Sequence, residues 1–356
     1  MKRVTEDLIK RAKSPWEIFS RDSTLIEQEK DELLEKFKPR EYKKIENFIL
    51  QQQIVLLYRQ GLEELDGFTH FGNNTLVVQD TSGKEYRFNY LYIQEQGICQ
   101  TLTTKDHVIF VVPHRYQRYY ENYIAKCQFK LHISKALWED IKYFLPDVVK
   151  SFETMDGDFI IIVKKPTSKV NPLTSILEYF DGRIDPKYVA SILTRLYKVA
   201  IYLDLRGISH NGLTVENLFF SPGRFINPGE KFTADDVRVV GVYGGWFFST
   251  NNDSSITGKP NDKIVGLPKK IKDIIPKETK DYHYGSYKVD MLAIKQIGRE
   301  LLGDITGKDL GNTPKPFVEW FNSSSVASNA LEEMQAWEKA RNLSFGKHEF
   351  VEMPLS

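Results

Sequence analysis

The residues of this 356-residue chain best suited to chemistry lie in one short run, 208–220, which reads I-S-H-N-G-L-T-V-E-N-L-F-F. His210 offers an imidazole for proton transfer. Glu216 and Asn217 offer a carboxylate and an amide, which together are weak ligation for a hard cation. Gly212 stands between them and cannot accept a proton. Glu121, distant in sequence, is a further polar candidate. Cys99 and Cys127 are the only cysteines; two thiols make neither a disulfide framework nor a zinc cluster, and both are expected to be buried. No metal site is expected.

The elements that must hold this run follow from periodicity. Residues 1–64 read as helices: Ser14-Pro15-Trp16-Glu17-Ile18-Phe19 is an apolar anchor, Ile26, Leu33, Leu34 and Phe37 share a helical face, and Pro39 stops that helix. Near residue 66 the pattern turns strand-like, with 75–78, 86–88, 90–93, 98–102 and 108–112 as short strands. Residues 115–146 are mostly helical. Phe159-Ile160-Ile161-Ile162-Val163 reads as a buried strand. Val189, Ile192, Leu193, Leu196, Val199, Ala200 and Leu203 keep one face of a long helix that Gly207 ends. Short strands follow at 218–220 and 237–240. Residues 249–285 are polar and read as a long surface segment. Val289 to Leu302 is an apolar helix, and further helices carry Phe317, Trp320 and Phe321, then Leu331 to Trp337. Hydrophobic content of 41% and charged content of 27% suit an ordinary soluble domain. A net charge of +1 provides no overall field for nucleic acid. No apolar run approaches a membrane span of about 18 residues or a signal core, so no membrane partner and a cytoplasmic location are expected.

The run at 208–220 resembles a protein-kinase catalytic loop, H-R-D-L-x-x-x-N, with His210, Leu213 and Asn217 in place and Gly212 where the Asp belongs. Other local matches fall in the same order: 146–153 and 157–159 for the strands leading to a hinge near Lys164-Lys165-Pro166, Leu173 to Phe180 for the first helix beyond it, and Ile274-Ile275-Pro276-Lys277-Glu278 for the A-P-E element. Asp290 sits where kinases hold the loop's backbone. The resemblance implies a two-lobed fold and also exposes its losses. Phosphoryl transfer needs backbone amides on the phosphates, a strand Lys, an orienting Asp and a metal-binding Asp. Only Gly97 remains of a glycine loop at 94–99. Val111 stands at the Lys position. Gly245 stands at the second Asp in Tyr243-Gly244-Gly245-Trp246, and the registers through Gly241, Val242 or Gly244 also lack a carboxylate. Gly97 and Asn217 are the only candidates for residual cofactor contact; His210, Asn217, Glu278 and Asp290 read as architecture. ATP and magnesium are not expected to bind.

Residues 1–64 resemble a J domain whose H-P-D tripeptide has become Lys38-Pro39-Arg40. Bacterial and bacteriophage J-domain-like or chaperone-like proteins join such a module to a degenerate kinase fold, with similar counterparts to His210-Asn211-Gly212-Leu213-Thr214, to 243–248 and to 345–354. The resemblance implies an α+β chain: a J-domain-like bundle at 1–64, a mostly β lobe at 65–165 and a mostly α lobe at 166–356. It implies a catalytically silent scaffold with a protein partner, for which Lys38, Pro39 and Arg40 are candidate contacts. Two alternatives stand beside it: an unconventional nucleotide-binding or nucleotidyl-transferring cleft, and a chaperone-binding co-chaperone.

Overall fold

The computed structural model describes residues 11, 30–38, 42, 75–95, 97–127, 138–139, 141–223, 238–264, 266–275, 285–323 and 326–346. The chain divides into two compact units, Met1–Thr75 and Leu76–Ser356. In the first, helix α1 (Lys30–Lys36) carries Asp31 and Glu32 in its first turn and Lys36 in its last, each at the end of the helix dipole that favours it. Leu33 and Phe37, four residues apart, are both buried, as is Tyr42. Lys38 is exposed beyond the helix end. Pro39, Arg40 and most of the J-like expectation lie outside the described residues, as does Glu278.

The second unit is α+β. It opens with a hairpin of β1 (Thr75–Gln79) and β2 (Glu85–Asn89). The Asp80 carboxylate closes its turn, accepting from Ser82 N at 2.9 Å and Lys84 N at 3.1 Å. Five antiparallel strands follow: β3 (Tyr92–Glu95), β4 (Gln100–Thr103), β5 (His107–Val112), β6 (Asp147–Glu153) and β7 (Phe159–Lys164), in spatial order β3-β4-β5-β7-β6. Helix α2 (Gln117–Cys127) intervenes between β5 and β6. Strands β5 and β7 are interior, covered on both faces, which is why their sequences are almost wholly apolar. The pleat sends Val108, Phe110 and Val112 into the main core, while Ile109 and Val111 pack with Leu102, Ile160 and Ile162 beneath the β1–β2 hairpin.

Strands, a helix, strands and then mostly helices is the element order that the sequence resemblance implies. The later part has β8 (Asn171–Pro172), α3 (Leu173–Tyr179) and α4 (Pro186–Leu205), then β9 (Ile208–Ser209), β10 (Leu218–Ser221), β11 (Val239–Val242) and β12 (Thr250–Asn251). After these come α5 (Ser254–Thr257), α6 (Lys269–Ile274), α7 (Tyr287–Leu301), α8 (Lys315–Asn322) and α9 (Ala330–Phe345). Asp185, Ser286 and Asn329 cap α4, α7 and α9 through their side chains. Helix α4 packs against α7 and α9, and Gly298 lets α7 close on α8: a Cβ there would stand 2.1 Å from the Phe321 ring. Among the described residues, no helix is long and apolar enough to cross a membrane.

Candidate functional site

Helix α4 ends at Gly207, whose φ of +64° suits glycine, and delivers the chain into β9 and the 210–217 loop. The loop's path is set by Asp290 in the first turn of α7. Its carboxylate, 2% exposed, accepts from His210 N at 2.7 Å and Asn211 N at 2.8 Å. Asn211 sits at φ +57°, a region asparagine tolerates. Its amide donates to Thr250 Oγ1 at 2.7 Å and the Phe248 carbonyl at 3.0 Å. The His210 ring lies edge-on to Trp246, centroids 4.9 Å apart, and Nδ1 accepts from Gly212 N at 3.2 Å. The ring proton therefore belongs on Nε2. Burial pushes the imidazole down to about 3 and, working in the opposite sense on an acid, pushes the Asp290 carboxyl up to about 7.

Gly212 and Gly245 meet backbone to backbone. A Cβ on Gly212 would lie 2.4 Å from the Gly245 carbonyl oxygen, and one on Gly245 would lie 2.4 Å from the Gly212 carbonyl oxygen. Gly245 also holds φ +78°. At Gly244 a Cβ would come within 2.8 Å of Asn217 Oδ1, and at Gly241 within 2.4 Å of the Tyr243 ring. Gly212 and Gly245, the two positions where the sequence resemblance places carboxylates, therefore have no volume for a side chain. Asn217 is 6% exposed, and its amide donates to the Gly212 carbonyl at 2.7 Å while its own carbonyl accepts from Gly244 N at 3.1 Å. The amide that could face a metal instead closes its own loop, and the Asn217 backbone carbonyl ties that loop to Gly244.

Helix α2 closes on the same junction. Asn122 Nδ2 donates to the Phe247 carbonyl at 3.0 Å and the Ser249 carbonyl at 2.9 Å, and Tyr123 OH donates to the Tyr243 carbonyl at 2.6 Å. Phe110 from β5 meets Phe247 edge-on at 5.7 Å and Tyr123 at 5.5 Å. One turn on, Lys126 Nζ donates to Asn251 Oδ1 at 2.7 Å and pairs with Asp262 at 3.2 Å. Asp262 also accepts from Asn251 N at 2.9 Å, so part of the polar 249–285 segment is pinned rather than loose. Gln94 on β3 donates to Thr174 on α3, joining the first sheet strand to the helical part.

The remaining candidates disperse. Gly97 is an exposed turn glycine at φ +67°, and a Cβ there would have nothing within 4 Å. Glu121 is exposed and accepts from Gln117 at 2.9 Å. Glu216 pairs with Lys270, which also reaches Glu300 at 2.5 Å. Val111 requires a correction. It shares the outer face with Ile109, so the positions of β5 that face α2 are Phe110 and Val112. An apolar run hides which face is inward, and a one-residue change of register reverses it. Cys99 is buried and Cys127 half-buried; burial raises both thiols, Cys99 to about 12. Among the described residues, no group of three or more His, Cys, Asp or Glu side chains could hold a metal ion. Sequence reading passed over Asn122, Tyr123, Lys126 and Asp262, whose roles are contacts across more than 100 residues.

No protein-family model matches this chain, and no curated protein matches its sequence. Among solved structures, it is similar to vaccinia related kinase 3 (16% identity, 74% of each chain, TM-score 0.39). It is also similar to the BubR1 kinase domain (10% identity, 71% of this chain and 80% of that one, TM-score 0.47). A third is a Toxoplasma gondii specific rhoptry antigen kinase domain (10% identity, 76% and 86%, TM-score 0.45). With TM-scores this low, the chain's own strand order and loop contacts must carry any closer assignment.

Proposed function

We propose that the chain from about residue 65 is a protein-kinase-like fold whose catalytic centre has been converted into packing, and that the protein acts as a scaffold through protein–protein contacts. The lobes in this reading are 65–165 and 166–356, preceded by a J-like module at 1–64. The observation that supports it most is the mutual closure of Gly212 on Gly245. Each stands where the resemblance requires a carboxylate, and neither has room for one. Phe110 and Val112 on the inward face of β5 put apolar side chains where a phosphate-gripping lysine would be needed. Loss of a single such electrostatic contact commonly costs about 3–4 kcal/mol in a barrier; losses within one catalytic unit do not add, but each alone is severe.

An unconventional nucleotide-transferring cleft would need His210, Glu121, Glu216 and Asn217 to converge. Glu121 is bonded to Gln117, Glu216 to Lys270 and Asn217 to the Gly212 backbone. The decisive experiment is a thermal-shift screen of the full chain against nucleotides, with and without magnesium or manganese, beside a labelled-phosphate transfer assay. No shift and no incorporation are expected. Asn217-dependent incorporation into the protein itself or a second protein would overturn the reading. Partner capture with residues 1–64 and 66–356 separately would assign recruitment, with Lys38-Pro39-Arg40 replaced as the control. A co-chaperone role would require capture through 1–64.

A further inference from the structure

Lys165 lies where the five-stranded sheet passes into the helical part, between β7 and β8. Its side chain is 3% exposed, yet among the described residues no carboxylate lies within ion-pair distance of its Nζ. The Nζ amine donates instead to two backbone carbonyls, Thr104 at 3.0 Å in the β4–β5 turn and Ser168 at 3.1 Å in the connecting segment. Its own N–H donates to the Asp106 carbonyl at 2.8 Å. One side chain therefore fastens the connector to the sheet, and the two N–H groups of a neutral amine suffice for both bonds. Lysine is almost never fully buried without an acidic partner, and a charge in that position is costly.

The groups around it are themselves titratable or charged. His107 and Asp147 are both register partners of Lys164, on β5 and β6 respectively. Asp106 in the turn is the one acid that favours the Lys165 charge; Lys105 shares that turn, and Lys169 lies on the connector. His107 feels Asp106 on one side and Lys164 and Lys165 on the other. We propose that residues 165–170 form a proton-gated hinge, fastened to the sheet while Lys165 is neutral and released when Lys165 takes up a proton.

Burial lowers the Lys165 amine to about 7, from 10.5 when exposed. A lowered folded value means that stability from this group is fully present above about 10.5 and is lost as pH falls towards about 7. The open hinge should therefore gain population by up to tenfold per pH unit through that window, then level off. Burial also lowers the His107 imidazole, so a second, smaller loss belongs below about 6.5.

Hydrogen–deuterium exchange of the full chain, corrected for intrinsic rates, would read this in the amides of 165–170 between pH 6 and pH 9. Wild type should show protection falling several-fold per unit from pH 9 to pH 7. Lys165→Met, which fills the same space without a charge, should be flat there while keeping the rest of the sheet protected. His107→Gln should keep the upper limb and lose the lower one. A wild-type profile independent of pH between 7 and 9, or a Lys165→Met profile with the wild-type slope, would overturn the proposal.

Discussion

At the scale of single residues, the two glycines do more than omit functional groups. Gly212→Ala and Gly245→Ala each add one methyl against a carbonyl oxygen 2.4 Å away, and Gly245 adds strain at φ +78°. Overpacking of this kind costs about 1–3 kcal/mol, so both variants should unfold at lower urea, Gly245→Ala at the lowest. Gly212→Asp should destabilise likewise and yield no phosphate transfer. Wild-type stability in either alanine variant would show that the loops can separate. His210 and Asp290 permit a second test with opposed signs. His210 sits at about 3 when folded against 6.5 when exposed, so its contribution is present above 6.5 and lost as pH falls. Asp290 sits at about 7 against 3.8, so its contribution is present below 3.8 and lost as pH rises through about 7. The two contributions should therefore nearly cancel from pH 4 to 6.5. His210→Gln should lose stability with rising pH over that range, and Asp290→Asn should gain it. Parallel profiles for the two variants would contradict the assignment. The sequence motif placed both residues beside the loop, and the resemblance implies a buried Asp290, but nothing in the sequence reveals that the His210 ring is stripped of water.

At the scale of elements, α2 fastens the loop junction to the sheet. It grips the 243–251 turn with Asn122 and Tyr123 and packs its aromatic face on Phe247 and Phe248, the latter edge-on through Tyr119 at 5.8 Å. These are hydrogen bonds to backbone carbonyls, so they hold the turn's shape whatever side chains it carries. Asn122→Ala removes two donors from partly buried acceptors and should cost about 1–3 kcal/mol. Tyr123→Phe keeps the ring and removes one bond, a loss of about 1 kcal/mol. Urea midpoints at constant slope would measure both. Equal losses would mean that the single Tyr123 hydroxyl bond carries as much of the grip as the Asn122 amide pair. The helices were the most legible elements: the 189–203 face became α4, Pro186–Leu205, and 289–302 became α7, Tyr287–Leu301. Strong 3.6-residue periodicity with a cap at the start explains that success. The 249–285 reading as surface chain missed α5, α6 and the Asp262 pin; the pin depends on Lys126 and on Asn251 rather than on local pattern.

At the scale of the molecule, the expectation of two lobes meets a core that does not divide at the connector. One cluster of buried side chains runs from Cys99 and Phe110 in the sheet through Tyr123, Phe247 and Trp246 to Val289, Phe317 and Trp337 in the helices. Side-chain patterning could locate each apolar face but not which faces meet, since the sheet–helix contacts join residues far apart in sequence. A second cluster, around Leu102, Ile109, Ile160 and Ile162, belongs to the sheet and its hairpin alone. The two clusters share β5 and β7, so neither can be lost while the other persists intact. The unit Leu76–Ser356 should therefore unfold in one step. In the full chain, exchange mass spectrometry across a urea series should show 107–112, 159–164, 186–205 and 287–301 losing protection at the same midpoint. Phe247→Ala, at the point where sheet, α2 and loop meet, should shift that common midpoint by about 3–5 kcal/mol without splitting it. Earlier loss of 107–112 and 159–164 in either protein would instead define the sheet as a separate cooperative unit, joined to the helices by the Lys165 connector alone.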